Sequence, residues 1–151
     1  MTKAERLEIE DKARLAAGRA FRCSPIRDSR PIGSDGQFHE FDIFCRDVVV
    51  GGVTTSPLST GGGNRNTGGC DRAASELLWM TLWPGSEVRV HVLTDKPLAE
   101  RLVRRYRTAD FPHPISIYHF DIGANKLDRI GILQAPVNPS RNKRPKAVRA
   151  Q

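Results

Sequence analysis

Apolar and polar residues recur along this chain in two rhythms, one of helical spacing and one of period two. From residue 3 to about 21, Ala4, Leu7, Ala13, Leu15, Ala16 and Phe21 form an apolar helical face. Glu5, Glu8, Asp11, Lys12 and Arg14 lie mostly outside it. Thr2 is placed to cap this helix, and Glu5 three residues later completes a capping-box pattern. Gly18 predicts a weakening or an early end. Residues 22–36 hold Pro25, Pro31, Gly33, Gly36 and several arginines, which predicts loop. Gln37 to Cys45 then alternates as a strand, with Phe38, Glu40, Asp42 and Phe44 on one face and His39, Phe41, Ile43 and Cys45 on the other. The short link "CRD" predicts a hairpin with residues 48–55.

Residues 56–70, "SPLSTGGGNRNTGGC", read as a polar, glycine-rich connector. Asp71 to Trp83 has the clearest helical pattern, with Ala74, Leu77, Leu78, Thr81 and Leu82 as a core-facing stripe. Asp71 suits its N-terminus, and Pro84-Gly85 stops it. Val88 to Thr94 is a strand, in which valines alternate with Arg89 and His91. A helix follows from Pro97 to Tyr106, with Leu98, Leu102 and Tyr106 on one face and Glu100, Arg101, Arg104 and Arg105 on another. After "FPHP", Ile115 to Asp121 is a strand, and Lys126 to Leu133 a last short one. The order as far as Asp121, α-β-β-α-β-α-β, predicts an α/β fold with a mixed sheet and helices packed on it. There is no internal repeat.

Composition adds bounds. A chain of 151 residues, 38% hydrophobic and 27% charged, suits one folded domain. We place that domain at residues 1–135. The remainder, 136–151, carries Arg141, Lys143, Arg144, Lys146 and Arg149 with no acid, so +5 of the +7 net charge sits there. Its prolines and low apolar content argue against a packed segment. Such a tail suits the phosphates of DNA or RNA, through counterion release, and equally suits a solubilising terminus. No run approaches the roughly 18 apolar residues of a membrane span. The N-terminus is too charged for a signal peptide, so a cytoplasmic protein without a membrane partner is expected. Cys23, Cys45 and Cys70 lie far apart, and no ligand pair among cysteines and histidines has zinc-site spacing.

The two strands "HEFDIF" and "VVVGGVTT", with "VRVHVLTD", "LAERLVRRY" and "ISIYHFD" after them, resemble the restriction-endonuclease-like fold of the PD-(D/E)XK nuclease superfamily. The resemblance covers roughly residues 4–133. Active members place one acid on the first hairpin strand and an acid-x-lysine on the second, where the acids bind a divalent metal, commonly Mg²⁺. Carried over, Asp42 is the first acid, while Gly51 matches a glycine before the motif, Gly52 the second acid, Val53 the free position and Thr54 the lysine. Glycine has no side-chain ligand and threonine no cation. Only Asp42 survives, and no lysine lies between Lys12 and Lys96. Replacements within reach of this pattern are Glu40 on the same strand, Glu5, Glu8 or Glu10 on the first helix, and Glu76 or Arg72 on the next.

Other candidates come from the residues themselves. "TGGGNRNTGGCDR" sets Asn64, Arg65 and Asn66 among glycines before a helix, with Arg72 following, a pattern suited to an anion. It is neither a P-loop nor a dinucleotide fingerprint. Its plainer reading is a mobile surface loop. Asp42 also has a plainer reading, as a strand acid paired with Arg46 or Arg65, and the arginines from Arg19 to Arg30 read as cleft lining or as a solvated face. No serine has a nucleophile-elbow context.

Three functions are therefore expected, in this order. The first is a nuclease-fold protein without its metal chemistry, needing no cofactor, that binds nucleic acid through Arg65, Arg72 and the basic tail. The second is an active Mg²⁺-dependent endonuclease with relocated ligands around Asp42, Glu40 and Glu76. The third is an interaction or assembly module, such as a homo-oligomer, that uses Trp79 or Trp83 in its interface.

Overall fold

The computed structural model describes residues 1–134. Arg141, Lys143, Arg144 and Lys146 lie outside the described residues. The elements are α1 (Lys3–Phe21), β1 (Ile26–Pro31), β2 (Phe38–Cys45), β3 (Val49–Thr54), α2 (Thr67–Leu82), β4 (Val88–Leu93), α3 (Lys96–Tyr106), β5 (Ile115–Asp121) and β6 (Lys126–Leu133). All six strands form one mixed sheet whose spatial order is the order of the chain. The first three strands make an antiparallel meander. β3, β4 and β5 are parallel, and β6 returns antiparallel to β5. No described helix is long and apolar enough to cross a membrane.

Parallel neighbours need crossovers, and these are right-handed. Both crossovers step the same way along the sheet, so α2 and α3 fall on one face. There Ala73, Leu77, Met80, Leu98 and Leu102 pack against Phe41, Phe44, Val50, Leu93 and Ile117. α1 covers the other face through Ala13, Ala16 and Ala17, against Ile43, Val49, Val53, Val90, Val92 and Phe120. Alanines let this helix lie close to the strands. Every residue of β3 is buried, as expected of a central strand covered on both sides.

Several expectations need correction. The stretch taken as loop contains β1. Its sequence, IRDSRP, is charged because it is an edge strand, where charges and a proline deter further pairing. α2 begins at Thr67, four residues before Asp71, and its cap is Asn66, whose Oδ1 accepts from Gly69 N at 3.1 Å. The Thr2–Glu5 capping box does form. Gly18 does not end α1. A side chain there would meet Pro25 Cδ at 2.9 Å, so glycine is needed for the returning chain, and Arg22 supplies the left-handed cap at φ 55°. Leu15 of α1 and Leu78 and Leu82 of α2 are exposed instead of joining the core, and α2 packs through Ala73, Leu77 and Met80.

The two-faced alternation expected of β2 also fails. Ile26 faces Phe44 whereas Asp28 faces Phe41, so β2 carries one extra residue between these pairs. This bulge puts Phe41 and Phe44 in the α2 core and sends Ile43 to the α1 core. Trp83 is only 6% exposed, with its indole N–H donated to Glu87 Oε1 at 2.9 Å, so it offers no interface. Arg89, which alternates with the valines of β4, is buried. It donates to the carbonyls of Met80 (2.8 Å), Trp83 (2.7 Å) and Gly85 (3.0 Å), which closes the C-terminal end of α2.

Candidate functional site

The bulge in β2 positions Asp42. The β2–β3 ladder stops at the pair Ile43–Gly51. Beyond it the Val53 N–H, which a continued ladder would have used, donates to Asp42 Oδ2 at 2.8 Å. Arg14 Nε donates to the Asp42 carbonyl at 2.6 Å and holds the same residue from α1. The carboxylate is thus anchored by one backbone N–H and the main chain of the same residue by Arg14, at the point where two strands part.

Neither Arg46 nor Arg65 pairs with it. Its basic neighbour is Arg27 of β1, with Nε 4.0 Å from Asp42 Oδ1. Arg27 is shared: it lies 3.8 Å from Glu40 Oε1 and donates to Glu10 Oε2 at 3.0 Å. One guanidinium therefore serves three acids. Burial dominates the titration of Asp42 and pushes its pKa up to about 6; the Val53 N–H opposes this, Glu10 and Glu76 push further upward, and Arg27 pulls down. Asp42 is neither locked in an ion pair nor alone.

Glu76 approaches from α2 on the opposite face of the sheet from Glu10. A side chain at Gly52 would collide with its carboxylate, since even Glu76 Cδ would lie 2.8 Å from the new Cβ. The volume in front of the Gly52 backbone is thus filled by an acid that belongs to a helix. Glu76 Oε2 is buried, lies 3.6 Å from His39 Nε2, and neither atom has a hydrogen-bond partner among the described residues. His39 is held by stacking on Trp79, with centroids 4.6 Å apart and planes 12° from parallel, and by an edge contact with Phe41. Deeper in the same face, Thr54 Oγ1 and His91 Nε2 are 2.7 Å apart. Burial lowers the His91 pKa to about 4, against the opposing pull of Glu76, so this imidazole is neutral.

Glu10 and Glu76 open onto a cleft of about 460 Å³ beyond the C-terminal end of β3, with Arg6, Thr55, Ser56 and Arg72 on its walls. Ligands of open α/β sheets bind at the carboxyl ends of strands. Arg72 Nη2 donates to Ser56 Oγ at 2.9 Å, which points its guanidinium along this wall. Glu40 does not line this cleft; its side chain is 62% exposed beside Arg27.

The anion-site candidates divide. Arg72 belongs to the acid-lined cleft, whereas Arg65 lines a different cavity between α2 and α3. Asn66 spends its side chain on the α2 cap and on the Pro57 carbonyl at 3.1 Å. Asn64 contributes its carbonyl to Thr60 N at 2.6 Å, within a tight turn where Gly63 takes φ 83°. His39, Arg6 and the bridging role of Arg27 were not read from the chain. The nearest signal was the run of arginines before β2.

Among the described residues, no three His, Cys, Asp or Glu side chains are grouped so as to enclose an ion. A hard cation does not require this. Mg²⁺ keeps several waters and is commonly held by one or two carboxylates with substrate phosphates completing the shell. Asp42 and Glu76, two acids close enough to raise the Asp42 pKa, with a Glu76 oxygen that has no hydrogen-bond partner among the described residues, suit that mode. Comparison with protein-family models, with curated proteins and with solved structures gives no match for this chain.

Proposed function

We propose that this protein is a divalent-metal-dependent phosphodiesterase acting on nucleic acid, with Glu76 of α2 replacing the strand acid absent at Gly52. One observation carries the reading: the Glu76 carboxylate occupies the space in front of Gly52, beside the bulged strand that presents Asp42. The succession of a helix, an antiparallel meander and parallel crossover units is in keeping with the restriction-endonuclease-like arrangement that the sequence resembles.

In this reading Asp42 and Glu76 hold the cation. Mg²⁺, when bound, polarises the phosphodiester and activates water. Val53 N–H and Arg14 fix the direction of Asp42. Arg27 keeps Glu10 and Glu40 from adding their full charge to it. Arg6 and Arg72 on the cleft walls attract the phosphate backbone. Arg72 stands on α2, one helical turn from Glu76, and takes the charge-stabilising part for which Thr54 has no cation. Incubation of the protein with supercoiled plasmid and Mg²⁺ or Mn²⁺ tests the reading. Nicking is expected, and is expected to disappear in both Asp42→Asn and Glu76→Gln.

A second reading has its own support. Gly52 and Thr54 on β3 carry neither the acid nor the cation of the strand motif, which supports a fold that binds nucleic acid without cutting it. Salt-sensitive DNA binding with no nicking in either metal, unchanged in Asp42→Asn, would decide for it.

A further inference from the structure

Two cavities lie on either side of the start of α2. The first is the acid-lined cleft above. The second lies between α2 and α3, holds about 280 Å³, and shares Asp71 with the cleft as a common wall residue. Its floor is apolar, made by Ala74, Leu98 and Leu102. Its rim carries three guanidiniums, Arg65 from the connector and Arg101 and Arg105 from α3, with the ring of Tyr106 between α3 and the opening.

Among the described residues, none of these three arginines forms an ion pair; every pair involving an arginine belongs to Arg6, Arg14, Arg27 or Arg30. Arg105 lies over the Tyr106 ring, 5.6 Å from its centroid. Asp71 is the one acid on the lining, against three cations. Three guanidiniums around one apolar floor repel each other, and Asp71 alone among the lining residues offsets part of their charge. Guanidinium forks match phosphate oxygens in pairs, and an aromatic ring beside leucines suits the face of a planar base. The volume falls just below the roughly 300–1,000 Å³ typical of small-ligand sites, and with its open rim it suits a single nucleotide and no duplex.

We infer that the cavity between α2 and α3 is a mononucleotide site, in which Arg65, Arg101 and Arg105 hold a phosphomonoester and Leu98, Leu102 and Tyr106 take the base. The site is separate from the proposed phosphodiesterase centre and does not depend on it. Two sources share the chemistry: a free nucleoside monophosphate and the 5′-phosphorylated end of a strand.

Calorimetric titration of the full chain with adenosine monophosphate, adenosine and inorganic phosphate tests this. Saturable binding of the monophosphate is expected, with adenosine and phosphate each about tenfold weaker or worse. The double variant Arg101→Gln/Arg105→Gln, on a helix surface and with an unchanged melting temperature, is expected to lose about tenfold or more in affinity. Asp42→Asn is expected to bind as the parent does, so a failed phosphodiesterase reading leaves this one standing. Competition between the monophosphate and a 5′-phosphorylated oligonucleotide assigns the strand end as the source, and its absence assigns the free nucleotide. No saturable binding, equal binding of phosphate and monophosphate, or binding unaltered in the double variant would each overturn the inference.

Discussion

The carboxylate of Glu76, on helix α2, fills the space that a side chain at Gly52, on strand β3, would need. Two positions 24 residues apart in the numbering thus compete for one volume. Gly52→Asp alone is expected to overpack this point, at a cost of about 1 to 3 kcal/mol, and to displace Glu76. Glu76→Ala alone empties it. The double variant Gly52→Asp/Glu76→Ala returns an acid to the volume from the strand. Thermal melts with and without Mg²⁺ check this: a metal-induced rise in Tm is expected in the parent and the double variant, and in neither single one. A rise that persists in Glu76→Ala would remove Glu76 from the metal's shell.

Asp42 and His91 pull stability in opposite directions as pH changes. The folded pKa of Asp42 is raised from 3.8 to about 6, so the folded state holds its proton more tightly than the unfolded one. That contribution to stability is full below about pH 4 and is lost as pH rises through about 6. Its size, about two pK units, corresponds to about 3 kcal/mol. Asp42→Asn keeps an acceptor for Val53 N–H and removes the charge. The variant is expected to be more stable than the parent at pH 7.5, by up to about 3 kcal/mol, with the difference vanishing near pH 4. Urea midpoints across that range check it.

The same series reads out His91. Its folded pKa is lowered from 6.5 to about 4, so it contributes stability that is present above pH 6.5 and lost as pH falls through about 4. In the parent this loss on acidification is offset by protonation of Asp42. In Asp42→Asn the offset is gone, and a steeper fall in stability between pH 6.5 and 4 is expected than in the parent. Parallel curves for the two proteins would mean that Asp42 titrates as an ordinary surface acid.

Arg89→Met should separate fold from site. The guanidinium closes the α2 carbonyls of Met80 and Trp83 and that of Gly85, and all three lose a charged donor in the variant. A loss of roughly 3 kcal/mol or more is expected, because buried acceptors are left unpaired. Chemical denaturation measures it. At the other end of the same helix, Asn66→Ala removes a side-chain cap and is expected to cost about 1 kcal/mol.

Much of this architecture was legible along the chain, and the misses have identifiable causes. The Thr2–Glu5 cap, the helix through Leu77 and the valine strands depend on neighbours within a few residues, so local spacing reveals them. β1 was not legible, because an edge strand is polar for the same reason a loop is. The start of α2 was misplaced because Thr67, Gly68 and Gly69 are poor helix formers. They join the helix through the Asn66 cap and through tertiary contact: a side chain at Gly69 would meet Ser56 Cβ at 2.9 Å. Of the site residues, Asp42 was legible as a polar position in an apolar strand. Glu76 was visible only as one acid among several on a helix face.

By itself the sequence determined the alternation of helix and strand from Phe38 onward, the parallel crossovers that follow from that alternation, and the lack of an acid at Gly52 and of a cation at Thr54. Each of these depends on residue type and near-neighbour period. The tertiary structure alone decided that one extra residue in β2 turns Asp42 out of the ladder, that Arg27 of an unforeseen strand bridges three acids, and that Glu76 fills the gap in front of Gly52. The reason is geometric. A bulge is defined by two strands together, and a shared volume by a strand and a helix, so neither exists in the local pattern of a single segment.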